Sequence, residues 1–139
     1  MKFFIFYVFF AAFFSCDNEN KTAHPLVGLW QVQQIFQQGN ELELDKCALL
    51  TTSEFKTGGI FFEKRYSERI LGCSLNNESG TWSETSENTV RLSFDNRVTA
   101  YQNTKFIIDD NMMTLTDGDG SETFAIVFKK VEWLRAQLF

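Results

Sequence analysis

Gly80-Thr81-Trp82-Ser83-Glu84-Thr85 and Thr89-Val90-Arg91-Leu92-Ser93-Phe94, separated by Ser86-Glu87-Asn88, decide how this chain folds. In the second segment Val90, Leu92 and Phe94 share one face, while Thr89, Arg91 and Ser93 take the other. A period of two marks a half-buried strand. The polar trio between the segments is a turn. The pair is therefore an antiparallel hairpin, and parity turns Arg91 outward.

The pattern repeats on both sides. Residues 51–55 and 60–66 pair around Lys56-Thr57-Gly58-Gly59. Residues 26–37 alternate in part, with Gly28, Trp30, Val32 and Phe36 on one side and Leu29 and Ile35 on the other. Gly39-Asn40 is a hairpin signal, and residues 41–45 then place Leu42 and Leu44 inward. Residues 97–108 read as one long strand or two short ones. Residues 112–116 and 122–130 flank Asp117-Gly118-Asp119-Gly120-Ser121, with Phe124, Ile126 and Phe128 pointing one way. Residues 132–139 suit a short terminal helix, too short to stand alone.

About eight to ten short strands with regular turns predict an all-β sandwich or barrel. No long amphipathic helix interrupts them, which disfavours parallel βαβ units. Sequential hairpins favour an up-and-down antiparallel barrel of about eight strands, because closure removes the exposed edges. The interior of such a barrel is either packed with side chains or holds one small ligand.

The start of the chain is different. Residues 1–15 hold one charge, Lys2, and seven of the sixteen phenylalanines. A charged start, a short apolar run and a small residue before a cut site mark an export signal. The run from Phe3 to Phe14 is shorter than the roughly 20 residues of a membrane-spanning helix. The stretch Ala11-Ala12-Phe13-Phe14-Ser15-Cys16 is similar to the lipobox of bacterial lipoproteins, which implies cleavage before Cys16 and acylation of it, palmitate included. The alternative is an ordinary secretory leader with a chance cysteine. Residues 16–25 read as the lipidated cysteine and a flexible tether. Residues 26–139 are the folded domain.

Two further cysteines remain, Cys47 and Cys73. In an exported domain an even remainder reads as a disulfide. It would close a loop of about 26 residues, worth about 3.5 kcal/mol in the chain-entropy model. Two separate thiols are the alternative. The chain carries a net charge of −5 and has no basic patch, so nucleic acid is not an expected partner.

Leu26-Val27-Gly28-Leu29-Trp30 resembles the Gly-x-Trp opening of lipocalins and their bacterial relatives. Gly80-Thr81-Trp82 follows in mid-chain after the cysteines, and Phe124-Ala125-Ile126-Val127-Phe128-Lys129-Lys130 closes the pattern. This order is similar to the lipocalin-like domains on lipoproteins of Gram-negative bacteria, over about residues 26–131. The resemblance implies that Trp30 covers one barrel end, with a basic residue (Lys129, Lys130 or Arg135) stacked on it. It also implies a small apolar ligand, although fold alone does not fix function.

Catalytic and metal chemistry find no foothold in the sequence. The single histidine, His24, falls in the tether and reads as a solvated residue. Zinc needs clustered His or Cys ligands. Residues 117–122 resemble a hairpin turn more than a calcium loop. The aromatic set Trp30, Phe36, Phe55, Phe62, Trp82, Phe94, Phe106, Phe124 and Phe128 either lines a cavity or fills the core. A small domain needs most of its apolar surface to fold, so a mostly filled core is the expectation. If the barrel is hollow, the ligand-binding candidates are Trp30, Phe55, Phe62, Trp82, Phe94, Phe124 and Phe128. The functional expectation is a monomeric, lipid-anchored lipoprotein of the cell envelope, at the outer membrane. It binds a small hydrophobic ligand and needs no cofactor, metal or catalytic group. The alternative is a filled barrel that binds a protein or glycan.

Overall fold

A computed structural model describes residues 23–97, 100–118 and 123–132. The leader, Cys16, most of the tether, the expected helix after Glu132 and the middle of the Gly118 turn lie outside the described residues. The strands are β1 (Gly28–Gln37), β2 (Asn40–Glu41), β3 (Thr52–Lys56), β4 (Ile60–Arg69), β5 (Gly72–Ser86), β6 (Thr89–Phe94), β7 (Tyr101–Asp109), β8 (Met112–Asp117) and β9 (Phe124–Lys130). A 3₁₀ turn, Ala48–Leu50, precedes β3.

All pairings are antiparallel, and β1 pairs with β3 on one side and β9 on the other. Eight strands thus close into a barrel, with β2 as an added strand against the end of β1. The mid-chain hairpin predicted from alternation is β5–β6, turned through Glu87-Asn88 with Ser86 opposite Thr89. Asn88 carries the positive φ that such a tight turn demands.

Three local expectations need correction. Residues 42–45 are not a strand: β2 ends at Glu41, Leu42 is exposed, and Leu44 alone packs on the core. Along β1 the expected parity fails at a bulge. Val32 stands opposite Phe128 but Gln34 opposite Val127, so Gln33 is the extra residue. After it Ile35 faces inward and Phe36 does not, because one inserted residue flips every later side chain. The third correction concerns length. β5 begins eight residues before Gly80, and β4 continues to Arg69.

The Cys47–Cys73 disulfide is present. Cys47 is fully buried, and its backbone N–H donates to the Asp45 carboxylate at 2.8 Å. The bond ties the 3₁₀ turn to the outer part of the β4–β5 hairpin.

The core is built at one end. Leu26, Trp30, Val90 and Met113 have no exposed surface. Each such side chain stabilises the fold by about 1.5–3 kcal/mol through removal from water. The Trp30 indole N–H donates to the Leu26 carbonyl at 2.8 Å, which satisfies its only polar atom. Lys130 reaches across Gly28 to set its Nζ 5.2 Å from the centroid of the Trp30 ring. A Cβ on Gly28 would lie 3.1 Å from the Lys130 stem, at a φ of +148°.

Gly80 shows why the Gly-Thr-Trp segment tolerates no larger residue. A Cβ there would approach the Ser93 carbonyl to 2.1 Å and the Phe61 ring to 2.8 Å. The Phe61 ring occupies the space a side chain would take. Gly80→Ala is expected to destabilise the fold by about 1–3 kcal/mol through overpacking. Urea unfolding followed by tryptophan fluorescence measures this; an unchanged midpoint would contradict the packing described.

Candidate functional site

The two ends of the barrel differ. At the closed end the chain enters through a turn in which the Val27 N–H donates to the His24 carbonyl at 2.8 Å. Pro25 sits at the second position of that turn, where its fixed φ is favourable. His24 is therefore not a solvated tether residue. Its ring lies 4.9 Å from Trp82 and 5.8 Å from Phe106, its Nδ1 accepts from the Leu26 N–H, and its Nε2 stands 3.4 Å from a Glu84 carboxylate oxygen. The backbone turn explains the correction: it folds His24 back onto the barrel end that Leu26 and Trp30 close.

The other end is open. A cavity of about 390 Å³ runs inward from it. This falls in the range of small-molecule sites, about 300–1,000 Å³. Its deep part is apolar. Phe61 meets Phe94 edge to face at 4.9 Å, Phe55 stacks beside Phe61 at 5.9 Å, and Leu92, Leu115 and Phe128 complete the wall. The bulge in β1 matters here, because it is what brings Ile35 to the cavity alongside Ile126.

The mouth is polar and ordered by charge pairing. Glu63 and Glu78 stand directly opposite on β4 and β5, a pairing that like charges disfavour. Two guanidinium groups offset the repulsion. Arg97 reaches Glu78 at 2.5 Å, and Arg65 reaches Glu63 at 2.5 Å and Glu78 at 3.6 Å. The Glu78 side chain is only 8% exposed. Burial of Arg65 works against its charge. The Glu63 charge, the hydrogen bond to Glu63 and the Glu78 charge outweigh that, so its pKa rises above the ordinary guanidinium value. Arg65 thus stays cationic at every pH the protein meets. Arg97 also covers the Phe94 ring at 4.2 Å, and it lies within 3.5 Å of the Tyr101 hydroxyl. Across the mouth, the Thr104 hydroxyl donates to Asp117 at 3.2 Å.

Four of the seven sequence candidates line the cavity: Phe55, Phe94, Phe124 and Phe128. Trp30 and Trp82 belong to the closed end instead. Trp82 packs between His24 and Phe55, and its indole N–H donates to the Lys56 carbonyl at 3.2 Å. Phe62 faces outward, 40% exposed, with Lys56 Nζ 4.9 Å from its ring centroid. Its neighbour Phe61 takes the inward position. The filled core expected from composition is corrected for the same reason: several large rings lie elsewhere. Inward positions toward the mouth carry Ala48, Thr51, Ser53 and Thr104, which leave space.

Sequence reasoning missed Phe61, Leu92, Leu115 and the whole charged rim. For Phe61 a signal existed. Gly80 opposes it across the β4–β5 pair, and a strand glycine often marks a close approach. Among the described residues no group of His, Cys, Asp and Glu is placed to hold a metal ion.

The lipocalin-like domain family matches this chain over residues 26–130. Among solved structures, the chain is similar to an uncharacterized protein from Bacteroides eggerthii DSM 20697. The TM-score is 0.54 at 16% sequence identity, with 76% of this chain and 99% of that chain covered. No curated protein matches the chain.

The charge network at the mouth makes a quantitative expectation. Glu78→Ala should destabilise the native chain more than it destabilises a chain already carrying Arg97→Ala. A double-mutant cycle of urea unfolding should give a coupling of about 0.5–3 kcal/mol. Strict additivity would show that the rim is not one interacting unit.

Proposed function

Because the chain belongs to the lipocalin-like domain family, we propose that it is a binding protein that carries one small hydrophobic molecule in its barrel. The observation that carries this reading is the aromatic cavity of about 390 Å³, open at one end and sealed at the other. Burying an apolar body there gains about 25 cal/mol per Å² of surface removed from water. The rim sets the polar end of the ligand. Arg65 and Arg97 are already paired with Glu63 and Glu78. A ligand head therefore meets hydrogen-bonding groups, Tyr101 among them, rather than an unpaired cation. The reading is of a binder and not of an enzyme.

The lipobox-like stretch supports an envelope lipoprotein held by acyl chains on Cys16, at the outer membrane. Two or three chains suffice, at about 0.8 kcal/mol per buried CH₂. His24 follows Cys16 by eight positions, a span of at most about 29 Å. His24 lies at the closed end. A tether of that reach lets the barrel turn either end toward the membrane that holds it.

Titration with an environment-sensitive naphthalene dye tests the binding reading. The dye is expected to bind with one site per chain and to be displaced by long-chain alcohols. Leu115→Trp, which fills the cavity, should weaken it at least tenfold while the thermal unfolding cooperativity stays intact. Binding that is absent, or unaffected by Leu115→Trp, would refute the reading. Mass spectrometry of the mature amino terminus decides the anchor: an acylated Cys16 is expected, and a free thiol there would remove that part.

A further inference from the structure

The β4–β5 hairpin does not stop at the rim. β3 accompanies β4 only as far as Lys64, while β4 and β5 remain paired out to Arg69 and Gly72. Five residues of β4, Arg65 to Arg69, therefore run beyond β3, a distance of about 17 Å. β6 leaves β5 at Gly80, so among the described residues no strand flanks the outer ribbon on that side either. A free two-stranded ribbon is marginal in water. Here the Cys47–Cys73 disulfide braces it, and the Tyr66 N–H donates to the Thr51 hydroxyl at 3.1 Å.

The tip is what sets this ribbon apart. Ile70 and Leu71 form its two-residue turn and are 102% and 100% exposed. Among the described residues three other two-residue turns join strands: Gln38-Gly39, Glu87-Asn88 and Asp110-Asn111. All three are polar, as turn chemistry prefers. Ile-Leu is costly to hold in water at a place where almost any polar pair would serve. The disulfide also brings the 3₁₀ turn, with exposed Leu49 and Leu50, to the outer part of the same ribbon.

We propose that the Ile70-Leu71 tip is a finger that inserts into the surface of a lipid bilayer and docks the mouth of the barrel against it. Three observations favour a bilayer over a protein. Two projecting side chains bury far less than the roughly 1,000 Å² a specific protein interface needs, whereas a bilayer asks for no matching shape. The outer hairpin, residues 66–77, holds one acid and one base, Glu68 and Arg69, within a chain of net charge −5. The finger is thus the neutral part of an acidic protein and is not repelled by lipid headgroups. Finally, Arg65 and Tyr66, where the ribbon leaves the barrel, line the cavity. A finger seated in lipid turns the opening toward the bilayer surface, which shortens the path of an apolar ligand between them. That last step rests on the ligand reading; the docking does not.

The chain from residue 16 onward carrying Cys16→Ser, which has neither the apolar leader nor an acyl chain to confound the result, is mixed with sucrose-loaded vesicles of phosphatidylcholine and sedimented. The parent is expected to bind, and Ile70→Ser with Leu71→Ser to weaken binding at least tenfold. Dye affinity without vesicles and the unfolding temperature should not change. Glu87→Ser with Asn88→Ser, at the opposite end, should leave vesicle binding intact. A parent chain that fails to bind, or one whose binding survives loss of both tip residues, overturns the proposal. So does loss of self-association, rather than of vesicle binding, in the tip variant. The dye measurement is independent of lipid, so failure of the ligand reading and failure of the finger are separately visible.

Discussion

β1 and β9 are hydrogen-bonded to each other along nearly their whole length, from Trp30 opposite Lys130 to Gln37 opposite Phe124. Without that seam the chain would be a twisted meander with two adhesive edges. With it, one face of every strand is enclosed. The seam also sets what is inside. Its bulge at Gln33 turns Ile35 to the interior, and its lower end places Lys130 over the Trp30 ring. Closure and plug are thus built from the same two strands.

Enclosure alone does not make a cavity. The closed end uses large, fully buried groups, with Leu26, Trp30 and Met113 beneath the His24 turn. Nearer the mouth the inward positions shrink or become charged. β4 shows this along a single strand, reading Phe61, Glu63, Arg65 on the same face. The phenylalanine is buried, and the two charges stand at the rim and neutralise each other. A core packed at one end supplies stability, which frees the other end to stay hollow. The disulfide adds to this from outside, closing a loop of 26 residues, for about 3.5 kcal/mol in the chain-entropy model.

Much of the fold was legible in the sequence because alternation is a strong signal. Val90, Leu92 and Phe94 face inward as their spacing demands, and so do Ile126 and Phe128. Gly28, Trp30 and a basic partner, Lys130, stand as the family resemblance implied. The site was less legible. Phe61-Phe62 offers two registers one residue apart, and the correct one puts Glu63 and Arg65 inside. Hydrophobic patterning rejects that register, because it treats inward charge as an error. Only the cross-strand arrangement with Glu78 and Arg97, distant in sequence, makes it stable. The β1 bulge was illegible for a similar reason. Gln33 and Gln34 are alike, and nothing local tells which of them is extra. His24 was misread because polar composition hides a residue that a proline turn folds onto aromatic rings.

Binding in this barrel depends on its being sealed at the Trp30 end and hollow at the Arg97 end. Methyl-resolved NMR during titration with decanol tests it most directly. Shifts are expected for the methyl groups of Val32, Ile35, Leu92, Leu115 and Ile126, which face the cavity. Those of Leu26, Val90 and Met113, packed at the closed end, should hold still. Shifts confined to the closed end, or spread evenly over the surface, would contradict a hollow barrel with one mouth.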